Sequence, residues 1–175
     1  MRIIAGRWRG HGIAAPPGDR TRPTTDRVRE AWMSMMQTAL PEARVLDLFA
    51  GSGGLGLEAL SRGARHATFV ERSGAALRTL RANVRKLGAE VETSIVKADA
   101  LDFVAGVEPG QYDIVLADPP YGSGAAEALA RLFLSRPFAG MLWIEHRVSD
   151  PVPAADGSDT RRYGDTLITR YLAPE

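Results

Sequence analysis

Four glycines fall within six residues in the stretch Asp47-Leu48-Phe49-Ala50-Gly51-Ser52-Gly53-Gly54-Leu55-Gly56, directly after the apolar residues Val45 and Leu46. Glycine permits positive φ and lets a ligand approach bare backbone, so such a run reads as the tight turn between a buried strand and a helix. The pattern that follows fits this reading. Strands are expected at 44–49, 66–71, 91–96, 112–117 and 140–146, and helices near 54–62, 73–87, 99–105 and 124–136. Alternation of this kind predicts an α/β fold with a mostly parallel Rossmann-like sheet and helices on both faces. Segments 160–164 and 166–172 add an antiparallel carboxyl-terminal pair, for seven strands in all.

The amino-terminal part is different in kind. Residues 2–5 and 12–15 read as a short β-hairpin turned by Gly6, Gly10 and Gly12. Pro16-Pro17-Gly18 then breaks the chain, and a helix begins at Thr24 or Thr25, either of which can cap it, with Asp26 in its first turn. Val28, Ala31, Trp32, Met35 and Ala39 form its apolar face, and Pro41 ends it. The expected division is a basic hairpin extension over 1–22 and a main domain over 23–175.

Charge is unevenly placed. Residues 1–29 carry seven arginines against Asp19 and Asp26, a local balance of +5 in a chain whose net charge is +1. A basic arm on an acidic body suits a polyanion, because phosphate contacts dominate nucleic-acid affinity. Arg2, Arg7, Arg9, Arg20, Arg22 and Arg27 are the candidate contacts. The absence of cysteine excludes disulfides and thiolate metal sites, and the three histidines are scattered, so no metal is expected. No run approaches the roughly 20 apolar residues of a membrane span, and the first residues lack a signal-peptide core. A cytoplasmic location with no membrane partner is expected.

Gly51-x-Gly53-x-x-Gly56 with Glu71 at the end of the next strand matches a dinucleotide fingerprint, in which the acid takes ribose hydroxyls. Asp47, at the strand end before the loop, disfavours a pyrophosphate and suits a cationic ligand. S-adenosylmethionine carries a sulfonium and an ammonium and no phosphate. Asp99, after the third strand, can bind an adenine amino group, and Ala100 follows it. Asp47, Glu71 and Asp99 then form an ordered set, one per strand end, at the edge where open α/β sheets bind ligands.

A second motif, Asp118-Pro119-Pro120-Tyr121, ends the strand at 112–117. An exocyclic amine on a base is a poor nucleophile because its lone pair is delocalised into the ring. Hydrogen bonds to a carboxylate and to the Pro119 carbonyl favour a pyramidal nitrogen, and two prolines stiffen the turn that presents them. Tyr121 can stack on an extruded base. Methyl transfer from S-adenosylmethionine to a nucleobase amine is the chemistry these residues suit.

With those motifs in hand, the chain resembles the class I S-adenosylmethionine-dependent methyltransferases and, more closely, the RsmD family of 16S rRNA guanine-N2 methyltransferases. The resemblance rests on Met1-Arg2-Ile3-Ile4-Ala5-Gly6, Arg22-Pro23-Thr24-Thr25-Asp26-Arg27-Val28-Arg29-Glu30-Ala31, the glycine loop, Val70-Glu71, Asp118 to Tyr121 and Tyr163-Gly164-Asp165-Thr166. It implies methylation of the 2-amino group of a guanine in 16S rRNA, within the small ribosomal subunit or its assembly intermediate, by a monomer. It implies that Asp47, Phe49, Ala50, Gly51, Ser52, Gly53, Glu71, Arg72, Asp99 and Ala100 hold the cofactor, that Asp118, Pro119, Pro120 and Tyr121 handle the base, and that the hairpin and Arg22 to Arg29 face RNA. His11 and Met33-Ser34 depart from the family's usual pattern. Adenine-N6 methylation of DNA or RNA, and a non-catalytic role in ribosome assembly, stay open as alternatives.

Overall fold

A computed structural model describes residues 1–15 and 23–175, and the side chains of 1–15 and 26–175. Seven strands form one sheet: β1 (Arg44–Leu48), β2 (His66–Glu71), β3 (Thr93–Lys97), β4 (Tyr112–Ala117), β5 (Ala139–Arg147), β6 (Asp159–Tyr163) and β7 (Thr166–Leu172). Their spatial order is β3-β2-β1-β4-β5-β7-β6. The first five pair in parallel, and β7 joins β5 and β6 antiparallel. The α/β sheet expected from the alternation is therefore present, with its antiparallel pair. The helices are α1 (Pro23–Met35), α2 (Gly54–Ser61), α3 (Gly74–Leu87), α4 (Ala100–Ala105) and α5 (Ala125–Ser135).

Alternate residues of the buried strands feed two cores, as a period of two requires. Val45, Ala67, Phe69, Ile114, Leu116 and Trp143 face α1, α2 and α3. Leu46, Leu48, Val70, Val115, Leu142 and Ile144 face α4 and α5. The helix ends follow local chemistry. The Ser73 hydroxyl accepts from the Ala76 amide at the start of α3, and Gly88 closes that helix at φ 65°.

Three expectations change. The amino-terminal hairpin shrinks to one antiparallel bridge, Arg2 to Gly12, because its chain is spent on turns between Ala5 and Gly10 and on contacts with the body. Helix α1 starts at Pro23, ahead of the threonines expected to cap it, since proline's fixed φ suits a first helical position. It also stops at Met35, and 36–39 form a turn. The third strand begins at Thr93, a 3-10 turn over Glu90–Glu92 taking its first expected residues.

The arm is anchored by α2. Glu58, fully buried, accepts from the amides of Ile4 (3.0 Å) and Ala5 (3.0 Å) and from Arg62 Nε (3.1 Å). Ser61 Oγ accepts from the Trp8 amide and donates to the Ala5 carbonyl. Farther along, Asn83 exchanges hydrogen bonds with both backbone groups of Ala14. Ile3 and Ile13 enter the same core as α1 and α2. Among the described residues, no helix is long and apolar enough to cross a membrane.

Candidate active site

The carboxyl ends of β1 and β4, neighbours at the switch in strand order, open onto one cavity, the place where ligands bind in such sheets. Its walls include Asp47, Phe49, Ala50, Gly51 and Ser52 from the glycine loop, Gly54 and Leu55 from α2, and Asp118 and Glu145 from β4 and β5. Met1, Asp26, Arg29 and Trp32 complete it from the arm and α1.

Close packing shapes the loop. A Cβ at Gly53, which has φ 89°, would lie 2.4 Å from Leu80 Cδ1, and one at Gly56 would lie 2.4 Å from Phe69 Cε1. A Cβ at Gly51 would instead meet nothing within 4 Å, so backbone there faces open space. Phe49 adopts φ 57°, a left-handed conformation that costs a non-glycine residue about 1–2 kcal/mol. Such strain collects where the chain is bent around a ligand.

The acids expected to hold the cofactor first organise backbone. Asp47 is 1% exposed, and its Oδ2 accepts from the Gly56 amide at 2.9 Å, tying β1 to α2. Burial pushes its carboxyl up to about 8, against the Gly56 hydrogen bond. Glu71 accepts from the Gly51 amide at 2.8 Å through one oxygen and from the amides of Arg72 and Ser73 through the other. Asp99 caps α4 through the Asp102 amide at 3.0 Å, and its second oxygen lies 3.9 Å from exposed Arg72 Nη1. Ala100 is buried behind that cap. Glu71, Arg72, Asp99 and Ala100 thus sit beside the cavity, along the ends of β2 and β3, while Asp47 and residues 49–52 line it.

The Asp47 value has a measurable consequence. A folded-state value above the ordinary 3.8 means that the folded protein keeps a proton the unfolded chain has lost. Stability is then given up as pH rises from about 4 to about 8. Asp47→Asn keeps an acceptor for Gly56 and removes the buried charge. Its melting temperature should exceed that of the unsubstituted protein by several degrees at pH 8, and the gap should narrow toward pH 5. A gap that stays constant with pH would show that Asp47 does not titrate in this range.

On the β4 side, Asp118 and Tyr121 are exposed and Pro119 is buried. The Tyr121 hydroxyl donates to Glu145 Oε1 at 2.8 Å, and the Arg147 guanidinium stacks 4.2 Å over its ring. Burial and the Glu145 charge raise the phenol to about 12, which keeps it a donor. Burial also raises Glu145, while Tyr121 and Arg147 pull it back toward the ionised form. Ala117 pairs with Ile144 in the parallel register, so Asp118, just past β4, stands level with Glu145 within β5.

Glu145 is a site residue that motif reading misses. Its signal is a fifth acid near a strand end, hidden within Trp143-Ile144-Glu145-His146-Arg147. Arg29 is the other. Expected to face RNA with its neighbours, it is 5% exposed. Its position at i, i+3, i+4, i+7 with Trp32, Met33 and Met36 places it on the buried face of α1. Burial holds it below the ordinary arginine value. Arg2, Arg7, Arg9 and Arg27 are exposed, with Arg7 paired to Glu92 and stacked on Trp8. Arg20 and Arg22 lie outside the described residues.

Four carboxyl groups and one guanidinium around a glycine loop suit a ligand that is cationic with a single anionic group, and oppose a pyrophosphate. S-adenosylmethionine has that charge pattern. Among the described residues, no cluster of three or more histidine, aspartate or glutamate side chains could hold a metal.

Comparison with known proteins agrees with this geometry. The family model described as conserved hypothetical protein 95 matches residues 1–171. The ribosomal RNA small subunit methyltransferase D of Escherichia coli (strain K12) is 36% identical over 156 residues, covering 87% of this chain and 78% of that protein. The solved E. coli protein yhhF superposes with TM-score 0.83 at 34% identity, over 98% of this chain and 97% of its own. An RNA methyltransferase of Salinibacter ruber, solved with S-adenosyl-L-homocysteine, shares the fold with TM-score 0.66 at 13% identity, over 90% and 95% of the two chains. From its first residues through β7, this chain belongs to the RsmD family of class I S-adenosylmethionine-dependent methyltransferases.

Proposed function

We propose that this protein transfers a methyl group from S-adenosylmethionine to the exocyclic 2-amino group of a guanine in 16S rRNA. Glu145 carries the choice of base. Guanine presents two donors side by side, N1–H and the 2-amino group, whereas adenine presents an acceptor at N1 next to its amine. Two carboxyl groups at one level of adjacent strands, Asp118 just past β4 and Glu145 within β5 and fixed by Tyr121, offer acceptors for both guanine donors. Adenine N1 would face the Glu145 oxygens with like polarity.

The bound cofactor supplies an electrophilic methyl group. Asp118 and the Pro119 carbonyl hold the amine hydrogens and turn the nitrogen lone pair toward it. The nitrogen–carbon bond forms as the sulfur–carbon bond breaks, and one amine proton passes to solvent. Positioning accounts for most of the acceleration, since the methyl is already activated. The exposed arginines Arg2 and Arg27 adjoin Met1 and Asp26, which line the cavity, and can meet RNA phosphates there. The E. coli relative's name supports small-subunit ribosomal RNA, and the small subunit or its assembly intermediate is the form in which we propose it is met.

The test is to incubate the protein with methyl-labelled S-adenosylmethionine and small ribosomal particles lacking native modifications, then digest the RNA. Label in N2-methylguanosine is expected, and label in N6-methyladenosine would overturn the base assignment. Glu145→Ala should lower kcat/KM on such particles by about 10- to 150-fold, the range for a lost hydrogen bond to a charged group. An unchanged value would remove Glu145 from base recognition.

A further inference from the structure

Arg29 is buried without enough partners. Its side chain is 6% exposed, and only Nη2 is engaged, donating to the Arg2 carbonyl at 2.6 Å and to Asp26 at 3.3 Å. Among the described residues, Nε and Nη1 have no hydrogen-bond partner, although both are shielded from solvent. A buried guanidinium left this way is costly, so native structures retain one where something else completes it.

The unpaired side of the group points at the cofactor loop. A Cβ built on Gly54 would stand 2.9 Å from Met1 Sδ and 3.4 Å from Arg29 Nη1, which places that nitrogen at the first residue of α2 with the Met1 side chain beside it. Gly54 and Leu55 line the cavity together with Arg29, and Gly53 ends the loop without a side-chain cap. The positive end of α2 and an orphaned guanidinium therefore converge on one corner. The remaining ionisable side chains that line the cavity, Asp26, Asp47, Asp118 and Glu145, are acids. Among the described side chains that line the cavity, Arg29 is the one that offers an anion positive charge.

We infer that Arg29 is the anchor for the α-carboxylate of S-adenosylmethionine, holding it through Nη1 against the start of α2. The carboxylate is the single anionic group of that cofactor, and it would satisfy a donor that the protein itself leaves open. The same contact sets the cofactor's orientation: with the carboxylate beside Arg29, the sulfonium and ammonium are left to the acidic part of the cavity. An RNA phosphate is the competing partner, and the place of Nη1 at the start of α2, beside the glycine loop, favours the cofactor. The inference rests on the family's cofactor and is independent of which base is methylated.

The test deletes the interaction from both sides. Calorimetry measures the Kd of S-adenosylmethionine and of decarboxylated S-adenosylmethionine for the unsubstituted protein, Arg29→Lys and Arg29→Met. Removing the carboxylate should weaken binding to the unsubstituted protein about 10- to 100-fold, the range for a charge-assisted hydrogen bond. Arg29→Met should weaken S-adenosylmethionine by a similar factor and leave the decarboxylated ligand within about 3-fold, with Arg29→Lys intermediate. Equal affinity of the unsubstituted protein for the two ligands would overturn the assignment, and this comparison needs no variant to fold. Equal weakening of both ligands by Arg29→Met would also overturn it, showing a structural role. So would unchanged cofactor affinities with weaker binding of an rRNA fragment and a shallower salt dependence, which would assign the guanidinium to RNA.

Discussion

Asp118→Ala should lower methyl transfer by about 10²- to 10³-fold, while the Kd for S-adenosylhomocysteine changes by less than about 3-fold. The separation follows from where the residue stands. Asp118 closes β4, beyond β1 and its glycine loop, and it lines the cavity opposite the backbone of Gly51 and Ser52. Removing its carboxylate takes away an acceptor for the amine and leaves the cofactor loop intact. Asp118→Asn should fall between the two, because an amide oxygen still accepts but its nitrogen presents a donor to a donor. Single-turnover rates with calorimetry on the same samples check this. Loss of cofactor binding together with activity would make Asp118 a structural residue of the β4 turn.

Glu58→Ala should have the largest effect on stability. Its carboxylate is fully buried and serves two arm amides and the buried Arg62 guanidinium. Truncation strands all three at once, and breaking a buried pair in this way costs about 3–5 kcal/mol. For a chain of this size the melting temperature should fall by roughly 6–20 °C. Limited proteolysis should then cut within the first 15 residues before the sheet is touched. Glu58→Gln keeps one acceptor and should lose less. A melting curve that overlays that of the unsubstituted protein would mean the arm is held by Ile3 and Ile13 packing and by Ser61 and Asn83 without Glu58.

Much of this architecture is legible along the chain, for a physical reason. Strands buried on both faces are continuous apolar runs, and α3 carries Leu77, Leu80, Val84 and Leu87 on one side with Gly88 at its end. These signals are local. What escapes is set by contacts between distant segments. Glu58 reads as an ordinary helix residue until Ile4, 54 positions away, is brought to it. Glu145 gains its meaning from Tyr121, 24 residues earlier. The amino-terminal hairpin fails for the same reason. Its backbone groups are drawn to Glu58, Ser61 and Asn83, and what pairs within the arm is a single bridge.

The placement of β1 between β2 and β4 has a consequence for how such an enzyme can diversify. Residues suited to the cofactor hang from β1 to β3, and those suited to the base hang from β4 and β5. The two groups share a floor but few covalent neighbours. A lineage, or a designer, can therefore alter the turns after β4 and β5 to seek a new target while inheriting the methyl-donor half unchanged. Changes to α1 behave differently: one of its side chains, Arg29, is built into the donor half from outside the sheet. Retargeting through the arm and α1 would disturb both halves together, whereas retargeting through β5 would disturb one.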